Sequence, residues 1–184
     1  LAYYFLGINP QTVMSAADAF NIGGGAEQRG TMGTPSDDAG QFVDIVGRNV
    51  NDVWGGIING YTAPKVVLYD TGTGTGCGYG QSAMGPFYCP GDEYVYLDLG
   101  FFDTLQRQLG APGDFAQAYV IAHEVGHHLQ HKLGISGKVQ KARLRLSEQQ
   151  GNQLSVRLEL QADCFAGVWA HHSQRGKGWL EAGD

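Results

Sequence analysis

Hydrophobic positions recur at helical spacing in three stretches of the 184-residue chain and crowd into short runs in two others. Between roughly 39 and 58, Phe42, Val43, Val46, Val50, Val53, Trp54 and Ile57 repeat with a helical period, and Asp37 or Asp38 stands where a carboxylate caps the first turn. This helix carries no chemical cluster and reads as core scaffold. Lys65-Val66-Val67-Leu68-Tyr69 and Tyr94-Val95-Tyr96-Leu97-Asp98 are rich in strand formers and predict two strands. Ahead of the second lies Gly85-Pro86-Phe87-Tyr88-Cys89-Pro90, whose prolines lack a ladder N–H, so an edge strand or a covering loop is expected there. After Pro112-Gly113-Asp114 the pattern is helical through roughly Leu133, with Gly134 closing the helix. A last helix runs from about Glu148 to His172.

The segments between these elements are glycine-rich. Residues 21 to 38 have loop composition, and Thr71 to Gly80 lacks both the G-x-G-x-x-G spacing and a G-K-[ST] ending, so it reads as a flexible or tightly turned loop and not a phosphate cradle. The apolar, aromatic opening from Leu1 to Ile8 reads either as the last turns of a removed membrane helix or as a short segment docked on the core. Two parts follow: an N-terminal segment over 1–38 and one folded domain over 39–184. A net charge of −6 leaves no basic footprint for nucleic acid, and three cysteines are too few for a disulfide scaffold or a four-cysteine zinc site.

The chemistry concentrates in His123-Glu124-Val125-Gly126-His127, an H-E-x-x-H string inside a predicted helix. Positions i and i+4 share a helix face with Cβ atoms about 5–6 Å apart. Two imidazoles there can grip one ion, and the intervening Glu124 is placed to deprotonate a zinc-activated water. A catalytic zinc needs a third protein ligand. Gln130 and Leu133 stand where the longer metzincin pattern requires Gly and His, which excludes that subclass. A carboxylate from the last helix is the alternative, and Glu159 fits. Asp163, one turn on, can accept the spare N–H of a ligand imidazole, His123 first. Small residues on the facing surfaces (Gly126 on one helix, Ser155, Ala162 and Ala166 on the other) would let the two helices approach closely, while Leu154, Leu158, Phe165 and Trp169 form a separate core flank.

His123-Glu-Val-Gly-His127 followed by Glu159-Leu-Gln-Ala-Asp163-Cys164-Phe-Ala-Gly167-Val-Trp169 resembles the bacterial putative neutral zinc metallopeptidase family, as do Gly85-Pro-Phe-Tyr-Cys-Pro90 and Tyr96-Leu-Asp98. The resemblance spans roughly residues 39–172. It implies an α+β, zincin-like fold in which a small sheet with a proline-bounded edge packs on the H-E-x-x-H helix and a second, E-x-x-x-D helix. It also implies metallopeptidase activity and an N-terminal anchor holding the domain on the extracytoplasmic side of the bacterial envelope, periplasmic or extracellular. The family pattern continues past Asp184 with a Thr-His-Gly segment, so the domain is expected to be C-terminally truncated; if that histidine is the electrophile, the fragment would bind zinc yet hydrolyse poorly. Cys77 and Cys89 either remain free thiols or close a loop of roughly a dozen residues; the implied location favours the disulfide.

Together these residues and the resemblance predict a zinc endopeptidase with His123, His127 and Glu159 as ligands, Glu124 as general base and Asp163 behind His123. Its partners are peptide or protein substrates, with no nucleic acid and no membrane contact beyond the anchor. The segment from Ala83 to Phe87 is a candidate for substrate binding by strand addition. The alternatives are a zinc-stabilised extracytoplasmic binding module with a vestigial site, and a metal hydrolase acting on a non-peptide amide. Cys164 reads as a buried small hydrophobe. His128 and His131 read as solvated or core-edge residues, His171 and His172 as the cationic close of the last helix or a remote oxyanion donor, and Lys138, Lys141, Arg143 and Arg145 as a solvated face.

Overall fold

The structure is a computed structural model that describes residues 38–81, 84–109 and 114–178. Helix α1 (Asp38–Ile57) leads into strand β1 (Lys65–Tyr69), then β2 (Gly72–Thr75), β3 (Gly78–Gln81), β4 (Phe87–Cys89) and β5 (Tyr94–Asp98). Four helices follow: α2 (Leu99–Leu109), α3 (Asp114–Lys132), α4 (Ile135–Arg143) and α5 (Glu148–Lys177). The fold is therefore α+β. The expectations for residues 1–37 lie outside the described residues, as does Asp37; Asp38 is the first residue of α1.

A three-stranded mixed sheet has the order β1-β5-β4, with β1 parallel and β4 antiparallel to β5. The proline-bounded segment is thus an edge strand. Period-two alternation divides the side chains of this sheet between two faces. Val66, Leu68, Tyr88, Val95 and Leu97 meet the helices, where Val43, Val46, Val50 and Trp54 of α1 pack with Val120, Ile121, Val125 and Leu129 of α3 and with Ala166 and Trp169 of α5. Each large side chain buried here contributes about 1.5–3 kcal/mol. A polar tie crosses this core: Asn49 Oδ1 accepts from Trp169 Nε1 at 2.9 Å and from Ser173 Oγ at 2.7 Å. Burying an amide requires such partners.

On the opposite face, Val67, Tyr69, Cys89 and Tyr96 form a second, smaller core with Phe87 and Tyr94. The glycine stretch Thr71 to Gly80, expected as a loop, instead supplies an antiparallel hairpin, β2 with β3. Its glycines give no alternation to read; its order comes from main-chain pairing and from its attachments. Cys77 is disulfide-bonded to Cys89, and Asp92 accepts from Gly76 N at 2.6 Å, Tyr94 N at 3.1 Å and Tyr96 Oη at 2.6 Å. At Gly80 a Cβ would come within 2.7 Å of the Phe87 ring, so no larger residue fits without displacing that ring.

Helix α3 ends as expected at Gly134, which has φ +71°, but the chain re-enters a helix at once. The sequence reading placed no helix at α2 or at α4; α2 does carry an amphipathic stripe, whereas α4 buries none of its residues and so carries none. Helix α5 opens with a capping box at Ser147 and Gln150 and continues to Lys177, past the expected end at His172.

Candidate metal centre

Among the described residues helices α3 and α5 pack closely, and Gly126 marks where they meet. A Cβ at Gly126 would lie 3.1 Å from both Cα and the carbonyl oxygen of Ala162 and 3.4 Å from its Cβ. The small residues singled out on the two facing surfaces thus do allow backbone to approach backbone. This approach brings Glu159 of α5 over the histidine face of α3.

His123 Nε2 and His127 Nε2 are 3.1 Å apart, and Glu159 Oε2 lies 3.3 Å from the first and 3.5 Å from the second. Three ligands in a tetrahedron with zinc bonds of about 2.0–2.2 Å would stand about 3.3 Å from one another. The donor set, two imidazole nitrogens and one carboxylate oxygen, fits zinc in number, kind and spacing, and among the described residues it is the one cluster able to hold a metal ion. The remaining ring nitrogens explain the orientation. His123 Nδ1 donates to Asp163 Oδ1 at 2.9 Å, as expected from the E-x-x-x-D spacing. His127 Nδ1 donates to Gln130 Oε1 at 2.9 Å. Both Nε2 atoms are thereby turned to the same point.

Glu124 is buried beside this pair at 5% exposure. Burial pushes its carboxyl above the ordinary carboxylate range, and Glu159 adds to the rise, against the opposing pull of His127 and His123. Glu159 goes the other way: burial would raise it, but hydrogen bonds to His123 and His127 hold it well below the usual range. For His127, burial disfavours the cation, yet the Glu159 hydrogen bond and the Glu124 charge outweigh it and bring the ring to about 9. The site opens into a cleft of about 370 Å³ walled by Met84, Pro86, Phe87, Tyr88 and Pro90 on the sheet side and by His131 and Ser136 beyond the histidines. Apolar walls around a few convergent polar groups are the usual make-up of a ligand site.

The other candidates fall into place around it. Cys77 and Cys89 are joined, with Cα atoms 5.8 Å apart. Cys164, expected to be buried, is exposed, because at about 100° per residue it turns away from the α3-facing side of α5. His128, expected at a solvated or core-edge position, is 1% exposed: Nε2 donates to the Thr62 carbonyl at 2.7 Å, Nδ1 accepts from Tyr88 Oη at 3.2 Å, and burial lowers its pKa. His131 sits on the cleft wall, 3.5 Å from a Glu93 carboxylate oxygen. His171 and His172 are exposed within α5, not at its end, and stand at least twelve residues (about 18 Å of helix) from Glu159, outside the cleft lining. Lys138, Lys141, Arg143 and Arg145 are exposed, as expected.

Two residues in contact with this cluster escaped the sequence reading. Gln130 follows His127 by three positions and Tyr119 precedes His123 by four; the Tyr119 hydroxyl reaches Asp163 Oδ1 at 3.2 Å. The available signal was spacing: each lies one helical turn from a histidine, on the same face.

The chain matches, over residues 1–184, the family described as "Putative neutral zinc metallopeptidase". It is 53% identical over 152 residues to the "Uncharacterized protein YpfJ" of Escherichia coli K12, covering 80% of this chain and 53% of that protein. To the "Uncharacterized protein Mb2605" of Mycobacterium bovis it is 44% identical over 145 residues, covering 76% of this chain and 48% of that protein. The chain thus spans about half the length of the curated relatives it matches. No solved structure matches it. The sequence over its whole length, and the histidine and glutamate cluster it folds to assemble, agree: this chain belongs to the putative neutral zinc metallopeptidase family.

Proposed function

We propose that this chain is a zinc-dependent endopeptidase of zincin-like, gluzincin type, with His123, His127 and Glu159 as ligands and Glu124 as general base. The observation that carries the reading is the triangle of Nε2, Nε2 and Oε2 at 3.1, 3.3 and 3.5 Å, with a buried carboxyl beside it at the floor of a cleft. When bound, zinc supplies Lewis-acid polarisation of the scissile carbonyl and lowers the pKa of water toward neutrality. Glu124 takes the proton of the attacking water and delivers it to the leaving amine as the C–N bond breaks. Burial raises its pKa, which makes it the stronger base toward that water. Asp163 holds His123 in the tautomer that presents Nε2, and Tyr119 steadies Asp163.

The substrate in this reading is a peptide or protein. Among the described residues edge strand β4 pairs with β5 alone, and it contributes Phe87 and Tyr88 to the cleft, which supports main-chain pairing of an extended peptide along the segment from Met84 to Phe87. Ala83, the other end of the expected segment, lies outside the described residues. The Cys77–Cys89 disulfide supports an extracytoplasmic setting in the cell envelope. A zinc-stabilised binding module is disfavoured, because nothing in such a role requires a buried carboxyl next to the ligands.

The test combines zinc titration with hydrolysis of a peptide library. Glu124→Gln is expected to keep its zinc while hydrolysis falls by about 10²–10⁴-fold. Glu159→Ala is expected to lose zinc affinity steeply. Equal hydrolysis by wild type and Glu124→Gln, or unchanged zinc content in Glu159→Ala, would refute the assignment.

A further inference from the structure

We infer that Gln130 is a positioning residue, a buried amide that fixes His127 and the Glu159 turn of α5 in one register and so sets how tightly the site holds zinc. This deepens the reading above and rests on it for the identity of the ion. Gln130 is fully buried, and burying a primary amide is costly unless its donors and acceptor are engaged. Here they are. Nε2 donates to the Leu158 carbonyl at 2.7 Å and to Gln161 Oε1 at 3.2 Å, while Oε1 accepts from His127 Nδ1 at 2.9 Å.

The orientation of the amide follows from the Leu158 carbonyl, which can only accept. A flipped amide would set two acceptor oxygens 2.7 Å apart. With Nε2 fixed toward α5, Oε1 must face His127, and Nδ1 of that ring must carry the hydrogen. The Nε2 atom of His127 is then directed at His123 and Glu159. The carbonyl that Gln130 grips belongs to the peptide unit leading into Glu159. One side chain of α3 therefore restrains both the ring plane of one donor and the backbone of another, across the helix pair. Asp163 provides the corresponding restraint for His123 from the opposite direction, so each helix reaches over to hold the other's ligand. Partners of metal-ligating histidines matter at the level of about 10–100-fold in affinity.

The experiment uses the zinc-free protein, Gln130→Met and Gln130→Glu, read by NMR of the imidazole N–H protons and by zinc chloride titration against a chromophoric chelator. Methionine keeps length and volume and removes both hydrogen-bonding functions; glutamate, protonated where it is buried against the Leu158 carbonyl, keeps a donor toward that oxygen and an acceptor toward Nδ1. In the wild type the His127 Nδ1 proton should exchange slowly. Gln130→Met should lose that slow signal and weaken zinc binding by about 10–100-fold, and Gln130→Glu should recover the signal. A slow Nδ1 proton that survives in Gln130→Met, or an unchanged zinc affinity in that variant, overturns the inference. Should Gln130→Met fail to fold, loss of the signal in folded Gln130→Glu overturns it as well. A wild type that takes up no zinc overturns the proposed function instead, and the exchange measurement still decides the part played by Gln130.

Discussion

Replacing Gly126 by alanine isolates the helix approach on which the whole cluster depends. Two effects of opposite sign compete. Alanine is the better helix former by about 1 kcal/mol. Against this, the new Cβ would meet the Cα and carbonyl oxygen of Ala162 at 3.1 Å, when ordinary contact begins at 3.4 Å. Those atoms are backbone and cannot rotate aside, so α5 must recede by at least the difference, about 0.3 Å. Overpacking of this kind costs about 1–3 kcal/mol. Gly167→Ala is the internal control: it lies in the same helix pair, and its Cβ would meet nothing within 4 Å. Gly167→Ala gains the propensity alone, so the two variants should differ by about 1–3 kcal/mol, or about 2–12 °C in Tm for a chain of this size. Thermal unfolding by circular dichroism measures the difference, and zinc titration of Gly126→Ala should show weaker binding as Glu159 retreats from the histidines. If Gly126→Ala is as stabilising as Gly167→Ala and binds zinc as well as the wild type, the close approach is not what assembles the site.

Two more outcomes follow from the sheet side of the molecule. Reducing the Cys77–Cys89 bridge, or replacing both cysteines by serine, should cost about 3 kcal/mol by loop-closure entropy and lower the denaturant midpoint; an unchanged midpoint in reductant would show that main-chain pairing and Asp92 hold the hairpin without the bridge. Glu93, whose carboxyl is held below the usual range by its hydrogen bond to Lys132, stabilises the fold above its unfolded pKa of about 4.5 and loses that contribution as the pH falls through its lowered folded value. Melting curves of Glu93→Gln should therefore depend less on pH in that acid window than those of the wild type, and parallel curves would count against the pairing.

What the sequence made legible was what side-chain pattern encodes directly. The stripes of α1 and α3, the β-branched runs of β1 and β5 and the two prolines around β4 each carry a local physical cause, and each element appears where that cause lies. Five residues of the cluster, His123, Glu124, His127, Glu159 and Asp163, could be named because helical spacing alone brings them to two faces, and small residues said that the faces meet. The hairpin β2–β3 was not legible, since glycine has no alternating side chain and the strands owe their pairing to a distant disulfide and to Asp92. Helix α4 escaped because an element that buries nothing needs no hydrophobic period. Gln130 was read only as a residue breaking a longer motif. Its role depends on Leu158 and Gln161, 28 and 31 residues away, and no local pattern carries that information.

Helix α4 has a further consequence for how this scaffold can diversify. It spans the connection between the two helices that supply every donor, lies on the surface, and still lends Ser136 to the mouth of the cleft. Lengthening such a connection is cheap, about 0.6 kcal/mol for each doubling of a flexible loop. Insertions or substitutions there would reshape one wall of the opening while leaving the cation cage and the core untouched. The molecule thus separates a chemical floor built on two packed helices from a rim carried by a surface helix, so that the rim can change without a toll on folding.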